Sequence, residues 1–288
     1  MSTRTASRRQ FLKLSAQLML GAGLAGTSGI GYAREVEPAW VDVTHVRLAL
    51  PRLAPQFNGY RIAQVSDIHM GDWMTREKLE QVIDLVNRQN ADLIAFTGDF
   101  VTHEAVPYIT HFKEAFANLR STDGVVAVLG NHDYWRDQRA LKQMLVETGI
   151  RELPNKHITL SREGAQLHIA GVDDVWMRLD RLDLVLDGLP DKGAAILMAH
   201  EPDFADASAS TGRFDLQISG HSHGGQVVIP FVGLLRLPPM GTKYPLGLYK
   251  VGNMLQYTNR GVGMVRPHVR FNCRPEITLY ELSAGGEA

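Results

Sequence analysis

Five short apolar runs in this chain each stop on imidazole, carboxylate or amide side chains. Val125–Leu129 runs into Gly130-Asn131-His132-Asp133. Tyr60–Ser66 runs into Asp67-Ile68-His69, and Asp92–Thr97 into Gly98-Asp99. Ala194–Ala199 ends at His200, and Phe214–Ser219 at Gly220-His221-Ser222-His223. Runs of this kind read as strands buried on both faces, as in a parallel sheet. Helical stripes separate the first three. Leu79, Val82, Ile83 and Val86 follow an N-cap at Thr75, although Lys78 stands where a capping-box acid would be. Tyr108–Leu119 and Leu141–Thr148, stopped by Gly149, predict two more helices. The order βαβαβα predicts a parallel sheet with crossover helices. Ligands of such sheets gather at the carboxyl ends of the strands, which is where the polar clusters fall.

The remaining elements are fainter. Val41, Val43, Val46 and Leu48 predict one or two edge strands. Ile158–Leu160 and Leu167–Val172 predict a hairpin around Glu163-Gly164, and Leu179–Leu186 a short helix. Val227–Ile229, Leu248–Val251, Met254–Tyr257 and Glu276–Leu282 predict strands of a second sheet. Apolar residues make up 44% of the chain and charged residues 21%, enough for a full core. No repeat or linker interrupts residues 34–288, so one domain is expected there.

Residues 1–33 read differently. Ser7-Arg8-Arg9-Gln10-Phe11-Leu12-Lys13 is a twin-arginine sequence. A Gly/Ala-rich apolar stretch follows, Leu14–Ile30, and Gly31-Tyr32-Ala33 suits a signal peptidase. The expectation is export by the Tat machinery to the periplasm or cell envelope, with cleavage near Ala33. A retained membrane anchor is the other reading of the same residues. Four bases and no acids lie in this segment, so removing it takes the net charge from -1 to -5, with 26 bases against 31 acids. An acidic chain without a basic stripe excludes bulk attraction to nucleic acid. One cysteine, Cys273, cannot form an internal disulfide, and nothing around it marks a nucleophile.

The clustered residues point to metal chemistry. In a strand, residues two apart share a face, so Asp67 with His69, and His221 with His223, are expected to aim at one ion. Mixed imidazole and carboxylate ligation suits Mn, Fe or Zn better than Ca or Mg. The other six histidines, His45, His103, His111, His157, His168 and His268, lack this context.

At these residues the chain resembles the calcineurin-like metallophosphoesterase superfamily. The pattern D-x-H, G-D, G-N-H-D, a lone H and G-H-x-H runs in order through residues 60–225. The Tat signal, Gly220–Val227 and Phe271–Ile277 are similar to exported bacterial members of the YkuE/YaeI type. The resemblance implies an α/β fold, a four-layer αββα sandwich, and two divalent ions. Asp67, His69, Asp99 and His223 would hold the first ion. Asp99, Asn131, His200 and His221 would hold the second, with Asp99 bridging. Asp99-Phe100-Val101-Thr102-His103 lacks the acid and arginine of protein phosphatases, which argues against that subtype.

The expected reaction is hydrolysis of a phosphate ester, a phosphodiester or pyrophosphate, with direct attack at phosphorus. His132 is expected to stabilise the transition state or protonate the leaving oxygen, with Asp133 orienting its ring. Asp133 as a helix N-cap is the plainer reading. Pro230–Met240 is unusually apolar for a loop. Following closely on a metal-ligand segment, it is expected to wall the site and, through residues such as Leu234 and Leu235, to meet an acyl chain or the membrane face, against the plainer reading of a loop packed on the core. The resemblance implies a lipid- or nucleotide-linked substrate, and some relatives suggest a UDP-2,3-diacylglucosamine-like pyrophosphate. Arg260, Arg266, Arg270 and Arg274 offer positive charge, to a phosphate or simply to solvent. The rival reading is a metal-bearing envelope module without turnover, and retention of His132 beside a full ligand set argues against it.

Overall fold

The computed structural model describes residues 29–136 and 138–285. The twin-arginine residues lie outside them. Two six-stranded sheets face each other. The first has the order β1 (Asp42–Leu50), β14 (Glu276–Ala284), β2 (Tyr60–Val65), β3 (Leu93–Thr97), β4 (Val125–Val128) and β5 (Arg151–Glu152). The second runs β12 (Gly247–Val251), β13 (Met254–Thr258), β9 (Leu216–Ser219), β8 (Ala194–Met198), β7 (Ala165–Gly171) and β6 (Lys156–Arg162). β2, β3 and β4 are parallel, as are β7, β8 and β9.

Strand alternation makes four layers from these sheets. Ile62, Leu93, Ala95, Val126 and Val128 turn inward and meet Ile169, Ile196, Met198 and Ile218 from the opposite sheet. The alternate residues Ala63, Val65, Ile94, Phe96 and Ala127 turn outward. They are covered by α1 (Arg76–Asn87), α2 (Ile109–Phe116) and α4 (Gln138–Glu147); the short α3 (Asn131–Tyr134) lies between α2 and α4 in the chain. On the far face, Ala195 and Leu197 pack on α5 (Leu182–Gly188) and α6 (Ala205–Ser210). This is the αββα sandwich. The stripe of α1 is the expected one, and the Thr75 hydroxyl accepts from Lys78 N.

Three expectations are corrected. Glu276–Ala284 joins the first sheet, between β1 and β2, because both faces of this strand are apolar. Ile277 and Leu279 face the helices, while Tyr280 and Leu282 face the other sheet. Val228–Ile229 (β10) pairs only with Gly233–Leu234 (β11), outside either main sheet. The helix expected from Leu179 begins at Leu182, because Asn155 holds the preceding turn by donating to Leu179 O and accepting from Arg181 N.

Polar ties lock the sheets together beneath the strand ends. Gln64 Nε2 donates to Thr97 Oγ1 and, across the sandwich, to Ser219 O, while Tyr280 OH donates to Gln64 Oε1. Arg270 does more than the sequence suggested. It is neither a phosphate arm nor a surface residue but fully buried, donating to the carbonyls of Arg260, Gly261, Gly263 and Cys273. The chain it gathers is bonded back to the first sheet, with Val262 N and Gly263 N donating to Ser66 O and Asp67 O. Arg270→Met leaves the carbonyls of Arg260, Gly263 and Cys273 without a donor, while Gly261 O keeps Glu276 N. It is expected to cost roughly 3 kcal/mol or more, read as a lowered midpoint in denaturant.

Candidate metal centre

All five polar clusters arrive at one edge of the sandwich. β2, β3 and β4 deliver Asp67 with His69, Asp99, and Asn131 with His132 from one sheet. β8 and β9 deliver His200, and His221 with His223, from the other. Backbone bonds continue past the strands and hold the first two clusters in register. Asp67 N donates to Gly98 O, His69 N to Asp99 O and Met70 N to Phe100 O.

The side chains do not converge by strand alternation, as the D-x-H and H-x-H spacing suggested. Asp67, His69, Asp99, His221 and His223 all have left-handed backbones, with φ of 53°, 49°, 56°, 69° and 53°. Each such residue costs about 1–2 kcal/mol, and this strain is held by the surrounding bonds. The turn past each strand, not the strand itself, points the side chains inward. Close approach also demands glycine at two positions. A Cβ on Gly130 would strike Asp99 Oδ1 and His200, and one on Gly220 would strike Ser66 and Asp67.

Two groups result. In the first, His69 Nε2 lies 3.0 Å from His223 Nε2, which is 3.3 Å from Asp67 Oδ1. In the second, His200 Nε2 lies 3.2 Å from His221 Nδ1 and 3.2 Å from Asp99 Oδ2. Asp99 Oδ2 is also 3.4 Å from His69 Nε2, so this carboxylate touches both groups. All of these residues are buried, and Asn131 Oδ1 is a buried acceptor with no protein partner.

These residues fit divalent cations. His200 Nδ1 meets Thr97 O at 2.7 Å, and His221 Nε2 meets Pro239 O at 2.9 Å. A carbonyl only accepts, so those nitrogens carry the protons. The facing atoms, His200 Nε2 and His221 Nδ1, are then two lone pairs in close contact unless positive charge lies between them. Carbonyls behind the rings thus select which nitrogens face the centre. The electrostatics agree. Burial works against charge on His200, yet the Asp99 carboxylate raises its affinity for a proton well above the usual range. Burial likewise opposes charge on Asp99, but His200 and His132 hold its carboxyl well below the ordinary value. Burial pushes His221 and His223 down, leaving both neutral and able to ligate.

His132 stands apart from the other imidazoles. Its backbone N donates to Asp99 Oδ1, and its Nδ1 donates to Thr102 O at 2.8 Å. Its ring lies 3.8 Å from that of Trp135, centroid to centroid. Burial pushes it down to about 4, against the pull of Asp99. Asp133 makes no direct bond to this ring and instead takes a capping role at the start of α3, close to the plainer reading. Its carboxylate accepts from Gly130 N and Val101 N, clamping the start of α3 and the segment beside it. Its influence on His132 therefore runs through Val101 to Thr102 O. Burial, then the nearby Asp99, raise Asp133 to about 7.

A cleft of ≈ 470 Å³ opens on Asp99, Asn131, His132, His221 and His223. Leu235–Pro239 form one wall, as their place just after a ligand cluster suggested. Trp135 and Trp176 also line it, and no role was expected for them. Trp176 meets His221 edge-on at 5.4 Å, its turn held by Glu201, which accepts from Val175 N and Trp176 N. Only Trp135, two residues past the G-N-H-D run, had a positional signal in the sequence. Of the four arginines singled out, Arg266 alone lines the cleft. Arg260 pairs with Glu276, and Arg274 with Asp42.

After loading with manganese, Gly130→Ala is expected to retain far less of the ion than the parent chain while keeping its far-ultraviolet circular dichroism, because the added methyl displaces Asp99 and His200 without touching the core. Metal content by plasma emission spectrometry checks this. A full complement of metal would show that the contact relaxes harmlessly.

The sequence profile of the calcineurin-like phosphoesterase family matches residues 60–225, the span that carries all five clusters. The chain is 35% identical over 283 residues to the metallophosphoesterase YkuE of Bacillus subtilis (strain 168), covering 96% of this chain and 98% of that protein. It is 30% identical over 282 residues to the phosphodiesterase YaeI of Escherichia coli (strain K12), covering 96% and 99%. On likeness running through almost its whole length, this chain belongs to the calcineurin-like phosphoesterase family and is a phosphoester hydrolase.

Proposed function

We propose that the chain is an exported phosphodiesterase or pyrophosphatase working with two divalent ions, on a lipid- or nucleotide-linked substrate. The observation that carries this is the placing of Asp99 against both histidine groups, with no other carboxylate so shared among the described residues. Asp67, His69, Asp99 and His223 would hold one ion, and Asp99, Asn131, His200 and His221 the other. When bound, such ions lower the pKa of water and offset charge on phosphoryl oxygens.

The protein's own groups do the rest. His132 lines the cleft with Nδ1 committed to Thr102 O, so Nε2 is its free atom. A phosphate beside it favours the imidazolium by adding negative charge, which opposes the burial that holds it near 4. The proton then stands at Nε2, ready for the leaving oxygen. Asp133 keeps that geometry by fixing Gly130 and Val101. The apolar wall of Leu235, Leu237, Pro238 and Pro239 suits a hydrophobic substituent on the phosphate. The likeness to the phosphodiesterase YaeI favours a diester over a monoester. The twin-arginine run favours work in the periplasm or envelope.

Manganese-loaded protein is expected to hydrolyse bis(p-nitrophenyl) phosphate faster than p-nitrophenyl phosphate. His132→Ala should lower diester turnover by about a hundred- to ten-thousandfold while keeping its metal. Asp99→Ala should lose both. Turnover of neither ester by protein with its metal in place would count against the diester reading.

A further inference from the structure

Beyond the centre, the largest unexplained feature is an apolar tip beside the cleft. Phe231 and Val232 form the turn between β10 and β11, and are 109% and 70% exposed. Leu235, immediately after β11, is 55% exposed and lines the cleft as well. Leu234, expected to be exposed with it, is instead half-buried, paired with Val228 and lying over Gly225. Phe231 takes a left-handed backbone, φ 66°, which is unfavourable for a residue with a side chain. Water gains nothing from a phenyl ring held out this way. A contact that buries it would.

We infer that this hairpin tip enters the surface of a lipid bilayer and sets the mouth of the cleft against it. Two observations choose the bilayer over other occupants. Arg236 follows the apolar residues, is exposed, and has no carboxylate within ion-pair distance among the described residues. Phenyl and aliphatic groups backed by a free guanidinium match the acyl boundary and its anionic headgroups. The hairpin is also firmly based. Val228 N donates to Phe271 O, and Gln226 Nε2 donates to Val265 O and Pro267 O. The contact gives a lipid-linked substrate a short path, along Leu235 and Leu237, to the centre.

The test places a fluorophore on the tip and needs no turnover, so it can fail while hydrolysis stands, and the reverse. Val232→Cys in the full chain is labelled with a nitrobenzoxadiazole dye; the native Cys273 is buried. Val146→Cys, exposed on the helix layer, is the control. Phosphatidylcholine vesicles containing phosphatidylglycerol should blue-shift and brighten the label at 232 about twofold or more, and leave that at 146 unchanged. Adding Phe231→Asp should weaken the response by about tenfold or more in lipid concentration. A label at 232 that stays water-like with vesicles, or that shifts no more than the one at 146, overturns the inference. So does a shift that grows with protein concentration alone, which would mark the tip as a contact between two copies.

Discussion

Asp99 is the carboxylate on which both histidine groups lean. His69 and His200 reach the same oxygen from different sheets, and His132 N takes the other oxygen. A charge so deeply buried is unfavourable unless neighbours compensate it. Here the histidines do, and they gain in turn, since Asp99 is what draws positive charge to His200. The surrounding architecture serves this arrangement. Glycines clear space at Gly130 and Gly220, left-handed turns aim the ligand-type residues, and Gln64 stops the two sheets from sliding relative to each other. A shift of about 1 Å at any of these would separate atoms that now lie little more than 3 Å apart.

Backbone carbonyls set the tautomers. Thr97 O, Pro239 O and Thr102 O each take one ring nitrogen, and so decide which nitrogen of His200, His221 and His132 looks into the centre. This explains why His200 presents Nε2 and His221 presents Nδ1. It also joins the apolar wall to the chemistry, because Pro239 belongs to both. A displacement of the loop from Pro230 to Met240 is thereby felt at His221.

Much of the centre could be read in the linear chain. The order of the five clusters, their position at strand ends and the stripe of α1 all follow from local periodicity, which is a short-range property. What failed depended on partners far away in sequence. Glu276–Leu282 has an apolar pattern that fits either sheet, and only its pairing with β1 and β2 places it. Arg270 looked like one exposed base among four, but burial against four carbonyls makes it structural. Asp133 binds backbone amides at the start of α3, near the plainer capping reading, rather than the His132 ring; its second donor, Val101 N, comes from a segment 32 residues away that no local pattern could indicate.

The sequence by itself determined which residues meet. Imidazole, carboxylate and amide groups at the ends of buried parallel strands have few other places to be, since unpaired polar atoms are excluded from the cores on either side. Tertiary structure alone decided how they meet. The left-handed turns, the nitrogen each ring presents, the two tryptophans at the cleft and the exposed tip at Phe231 all depend on packing between segments remote in the chain. Local pattern carries burial and periodicity, but it does not carry the direction of a side chain once the strand has ended.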